Sequence, residues 1–242
     1  SLINRDINSF NFSNEKYIIH GFNSDSIISD CNFICKNHYI STQIPYQHND
    51  FKFPLRFLLL IRDCDKTSDL ISGELTKNKS YFGCLSDEHK DKSSSLNLVL
   101  AMYSHVMESL HGGLDSVLSH IYDSLFPLLK ITSSVYAFCT VKQISQFNWL
   151  RDDISSLFSD TFCSPWPIWL FFLMSRDVST ALVSIVAAIL FYISPELQEL
   201  NITDQKDISK FWIELKNKRK NSSEWLTQIV NLAAYYYGYS RK

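Results

Sequence analysis

A chain of 242 residues that is 45% hydrophobic and 14% aromatic can build one large core or two smaller ones, which excludes a wholly disordered protein. Its formal net charge of −2 excludes a general nucleic-acid binder, whose footprint would be basic. Six glycines and six prolines are too few for an all-β protein built on tight turns, so helices are favoured.

The chain opens on Asn-, Ser- and Asp-rich sequence with no apolar signal segment. The six cysteines, at 31, 35, 64, 84, 139 and 163, are therefore expected to be free thiols of a cytoplasmic protein. Up to residue 94, polar segments alternate with short apolar runs at 17–20, 27–34 and 57–61. Several of these are β-branched, which leaves room for strands. Cys31, Cys35 and His38, with His48 further on, offer four zinc-type ligands in this half. Their C-x3-C-x2-H-x9-H spacing is looser than finger patterns, and no second knuckle accompanies it. The competing reading places the two cysteines on one face of a strand as small core residues, and no cofactor is expected. The charged stretch 86–95 closes this half.

From residue 96 the periodicity is helical. Leu96, Val99, Leu100, Tyr103, Val106, Met107 and Leu110 form an amphipathic stripe that Gly112-Gly113 should cap. Leu114, Val117, Leu118, Ile121, Leu125 and Leu128 predict a second helix, bent at Pro127. A third is predicted over 141–158, with Ile144, Trp149, Leu150, Ile154 and Leu157 on its apolar side. Ser164-Pro165 reads as the N-cap and first-turn proline of a helix over 166–174. Residues 178–193 are apolar on nearly all sides, as in a central buried helix. Arg176 and Asp177 divide the apolar stretch 166–193 into pieces shorter than the ~20 residues a bilayer crossing needs, so no transmembrane span is expected. Helices over 204–216 and 224–237 complete the chain, the last with Asn221 and Glu224 at capping-box spacing.

No G-x-S-x-G elbow, P-loop, dinucleotide glycine pattern or H-E-x-x-H occurs. Asp152-Asp153 reads as an acidic pair on a solvated helix face. The basic run Lys-Asn-Lys-Arg-Lys at 216–220 reads as a solvent-exposed loop, and Tyr235, Tyr236, Tyr237 and Tyr239 as a helix end packing on the body.

Four segments in order carry a family resemblance. Ile3-Asn4-Arg5-Asp6-Ile7-Asn8-Ser9-Phe10 resembles an Ile-x-x-Asp-x-x-Arg motif with Ser9 in the place of the arginine. The helix containing Val99, Leu100 and Tyr103, followed by His111-Gly112-Gly113, is similar to one ending in Tyr-x-Gln-Gly, with His111 in the place of the glutamine. Phe162-Cys163-Ser164-Pro165-Trp166 resembles a Ser-Pro-Trp entry into an apolar helix. Residues 181–193 followed by 202–211 resemble a pair of closing helices. Together the segments resemble the TBC domain, the helical fold of Rab GTPase-activating proteins.

The resemblance implies a mainly α fold. A TBC-like domain starts at 1–10, an insertion or N-terminal α+β part with room for strands fills 11–94, and a helical part spans 95–242. A single α+β domain is the alternative. In that family an arginine neutralises the charge that develops as the γ-phosphoryl group leaves, and a glutamine aims the attacking water; the arginine is worth ~10³–10⁵ in rate. Ser9 carries no charge, and His111 copies a carboxamide poorly. The implied protein is an adaptor or pseudo-GAP that contacts a small GTPase in membrane trafficking, with little or no GTPase-activating activity. Its degenerate motif positions are Arg5, Asp6, Ser9 and His111, and its partner-contacting residues Arg5, Asp6, His111 and Gly112. The rival expectations are an unrelated α+β interaction module and a zinc-binding or enzymatic protein centred on residues 31–48.

Overall fold

The computed structural model describes residues 2–9, 24–43, 46, 50–52, 54–55, 58, 100–101, 103–108, 114–141, 147–202 and 204–240. Of these, 82% are helical and none lies in a strand, so the protein is mainly α. The chain divides into two compact units, Ser1–His105 and Val106–Lys242.

In the first unit, α1 (Leu2–Asn8) packs on α2 (Ser24–Thr42). The run 27–34 lies wholly inside α2, a helix and not the strand that its β-branched residues suggest. Ile27, Cys31, Ile34, Cys35 and His38 recur at helical spacing and are all buried. Cysteine and histidine at the core positions hide that period from a reading that looks for leucines. The runs 17–20 and 59–61, and the charged stretch 86–95, lie outside the described residues.

The second unit is built around α7 (Val178–Glu199), which packs against α3 (Leu114–Leu129), α4 (Ser133–Val141), α6 (Trp166–Met174) and α9 (Ser223–Tyr239). Every residue from Ala181 to Leu190 is buried, as expected of a central helix. Its first turn is closed by Asp177, whose carboxylate accepts from the Thr180 N–H at 3.1 Å. Among the described residues α7 is the one helix long and apolar enough to cross a membrane, and 72% of its most apolar window is buried inside the fold. α6 takes Pro165, predicted in its first turn, as its N-cap, while Ser164, predicted as the cap, stands one residue earlier with its Oγ accepting from the Trp166 N–H at 3.4 Å.

Three local expectations are corrected. The helix predicted over 141–158 is replaced by the end of α4, a 3-10 turn at Phe147–Leu150 and the short α5 (Arg151–Ser155). α5 stops because Leu157 and Phe158 take left-handed φ values of 49° and 59°, which bulky side chains adopt at a cost of ~1–2 kcal/mol each. α8 (Gln205–Arg219) runs through most of the basic stretch expected to be a loop, with Asp204 as its N-cap. α9 is capped by Ser222 Oγ, which accepts from the Trp225 N–H at 3.2 Å, and Asn221 lies one residue before the cap. The expected stop at Gly112-Gly113 falls outside the described residues.

Candidate functional site

Helical spacing in α1 turns Ile3, Asp6 and Ile7 inward and leaves Arg5 and Ser9 exposed. Arg5 and Ser9 stand one turn apart, with the Ser9 N–H donating to the Arg5 carbonyl at 3.0 Å. The Ser9 hydroxyl donates to the Asp6 carbonyl at 2.8 Å and so closes the last turn of its own helix. The Asp6 carboxylate accepts from the Tyr46 hydroxyl at 3.0 Å. Asp6, expected to contact a partner, is buried and acts as an anchor beneath α1. His111 and Gly112 lie outside the described residues, so only the α1 share of the motif positions is placed.

From Tyr46 a buried polar network continues into α2. The rings of Tyr39 and Tyr46 meet edge-on, with centroids 5.4 Å apart. Tyr39 donates to the Asp50 carboxylate at 2.6 Å and lies 2.8 Å from the Tyr103 hydroxyl. Tyr103 in turn reaches the Asp50 carbonyl at 3.3 Å. His38 packs its ring against both tyrosines and sets Nδ1 2.9 Å from the Ser104 hydroxyl. Burial first, then the Asp50 carboxylate, holds the Tyr39 phenol far above its ordinary value. For Tyr46 burial is followed by the hydrogen bond to Asp6, and for Tyr103 by the neighbouring Cys35. All three phenols stay neutral donors at physiological pH. They tie helices together and offer no acid or base poised for catalysis.

The zinc-type residues share this interior. Cys31, Cys35 and His38 lie on the buried face of α2 at helical spacing, and His48 lies outside the described residues. Burial first, then the Cys35 thiol, pushes Cys31 well up, and its Sγ sits 3.6 Å from the Phe51 carbonyl. Among the described residues, no group of three or more His, Cys, Asp or Glu side chains is arranged to hold a metal ion. The cysteines are core residues, on a helix and not on the strand that the competing reading assigned them.

In the second unit, sequence reasoning missed Asp153. Asp152 is exposed as expected, but Asp153 is 3% exposed. Its Oδ1 accepts from Thr161 Oγ1 at 2.6 Å and Lys216 Nζ at 2.9 Å; its Oδ2 accepts from Trp212 Nε1 at 2.7 Å and Lys216 Nζ at 3.1 Å. The Lys216 ammonium also lies 5.8 Å from the Trp212 ring centroid. A carboxylate met by this many donors is a fastener. It pins α8 to α5 and to the strained turn at Leu157 and Phe158, whose backbone is tied again by Trp169 Nε1 donating to the Leu157 carbonyl at 2.9 Å. The spacing Trp212–Lys216, one turn of α8, is the only local signal for this node, and it does not name its acceptor 59 residues away.

Compared with known proteins, the chain matches no family model and no curated protein.

Proposed function

We propose that the chain is a cytoplasmic, TBC-like protein-binding domain that contacts a small GTPase of membrane trafficking without accelerating its hydrolysis. The observation that carries this reading is the Ser9 hydroxyl committed to the Asp6 carbonyl. At the position that the resemblance gives to a charged finger stands a neutral group already satisfied by its own helix. Asp6, the matching scaffold residue, is buried and bonded to Tyr46. Framework without finger suits binding and not turnover.

Arg5 is the cation nearest to Ser9 in sequence. It projects from a position one turn earlier, and a misplacement of even ~1 Å from productive geometry costs ~100-fold. In this reading Arg5 faces the partner, and Asp6 supports α1 from beneath. The alternative of an unrelated interaction module shares the binding role and differs in partner.

Titration calorimetry of the full chain against a panel of Rab-type GTPases, each loaded with GDP or a non-hydrolysable GTP analogue, tests the proposal. Binding to at least one member, weakened about tenfold by Arg5→Glu with the helical circular-dichroism signal unchanged, is the expected result. Absence of binding across the panel removes the GTPase reading and leaves the unrelated module.

A further inference from the structure

α8 carries a basic stripe on its exposed face. Across residues 205–220 six basic residues stand against two acidic ones, in a chain whose formal net charge is −2. Two of the six are paired with carboxylates of other helices: Lys216 with Asp153, and Arg219 with Glu196. The negative C-terminal end of the helix suits Lys218. Lys206 stands in the first turn against the dipole, offset there by Asp204 and Asp207, and Lys210 has Asp207 at i−3 and Glu214 at i+4 as well as Lys206 at i−4.

The helical repeat of ~100° per residue places Lys206, Lys210, Ile213, Asn217 and Lys220 on one stripe. The opposite face, Ile208, Trp212 and Leu215, is buried. Lys206, Lys210 and Asn217 are exposed, Lys220 is half-buried, and Ile213 at the centre of the stripe is 54% exposed. Among the described residues no ion pair engages Lys206, Lys210 or Lys220. A free phosphate or a wholly acidic peptide would use the lysines and leave Ile213 in water. A bilayer uses both, because the ammonium groups reach headgroup phosphates while the isoleucine enters the boundary with the acyl chains.

We infer that this face of α8 docks on the surface of an anionic lipid bilayer, with the helix lying in the headgroup plane. The inference rests on the second unit alone and stands apart from the GTPase reading.

Co-sedimentation of the full chain with vesicles of phosphatidylcholine, alone or mixed with phosphatidylserine, tests it. The chain should pellet with the mixed vesicles only, and high salt should release it. Each lysine near such a surface is worth about a fivefold change in partition, so Lys206→Gln/Lys210→Gln/Lys220→Gln should lower binding roughly 100-fold. Ile213→Ser should lower it further, by about fivefold, at unchanged charge. None of these side chains is in the core, and circular dichroism checks that the variants stay folded. No binding to the mixed vesicles, equal binding to both kinds, or unchanged binding by the triple variant overturns the inference. Sensitivity to the lysines with none to Ile213 also overturns it, in favour of a purely electrostatic acidic partner.

Discussion

Around α2 the buried Ile27, Cys31, Ile34 and Cys35 stand beside a polar set, His38, Tyr39 and Tyr103, with Asp50 accepting a phenol. Around α7 every residue from Ala181 to Leu190 is buried, and Ser184 alone among them is polar. The second interior is held by removal of apolar area from water, which has no direction and tolerates changes that conserve volume. The first adds to its apolar burial donors that point at particular acceptors, so losing one partner strands another. One chain thus contains a core that hydropathy announces and a core that only geometry reveals.

The comparison breaks most visibly at α7. Ala187→Asp should destabilise by about 4 kcal/mol or more, because an unpaired charge has no partner in an apolar interior. Thermal unfolding shifted by only a degree or two would mean that α7 is not the centre of its unit. The Asp153 node brings the rule of the first unit into the second. Asp153→Asn should cost roughly 3 kcal/mol in urea unfolding, at the low end for a broken buried pair because Lys216 keeps some access to water. Adding Lys216→Met should recover part of that loss, and no recovery would show that the pair is not the source of the stability.

In the first unit, Tyr39→Phe should cost about 1.5 kcal/mol by removing the hydroxyl shared between Asp50 and Tyr103. It should also change the alkaline limb. Burial raises the folded phenols above the ~10 of an unfolded chain, so above that pH the unfolded chain releases protons that the folded chain keeps. Their stabilising contribution is complete below pH ~10 and is lost as the pH climbs toward the folded values. Tyr39→Phe should make that fall shallower, as read from unfolding midpoints measured on either side of pH ~10. The smallest effect belongs to Ser222→Ala, which should cost about 1 kcal/mol as the cap of α9.

What could be read in the sequence follows the same division. α3, α6, α7, α8 and α9 were legible because leucine, isoleucine, valine and aromatic residues mark a helical period. α2 was hidden by cysteine and histidine at its buried positions, and α4 by a short run with little contrast between its faces. The turn that ends α5 rests on φ values that leucine and phenylalanine rarely take, so no residue type signals it. Of the motif positions, the missing charge at Ser9 was visible at once. The burial of Asp6 was not, because its partner Tyr46 is 40 residues away. Asp153 escaped for the same reason, since the donors that bury it come from Trp212 and Lys216 on α8.

The claim that this domain binds without catalysing is tested most directly by single-turnover GTP hydrolysis, with the chain in saturating excess over a GTPase that it binds. The account predicts a rate within about tenfold of the intrinsic one, because the ~10³–10⁵ supplied by a charged finger has no source at Ser9. An acceleration above about a hundredfold that disappears in Arg5→Ala would contradict it and would make Arg5 the finger.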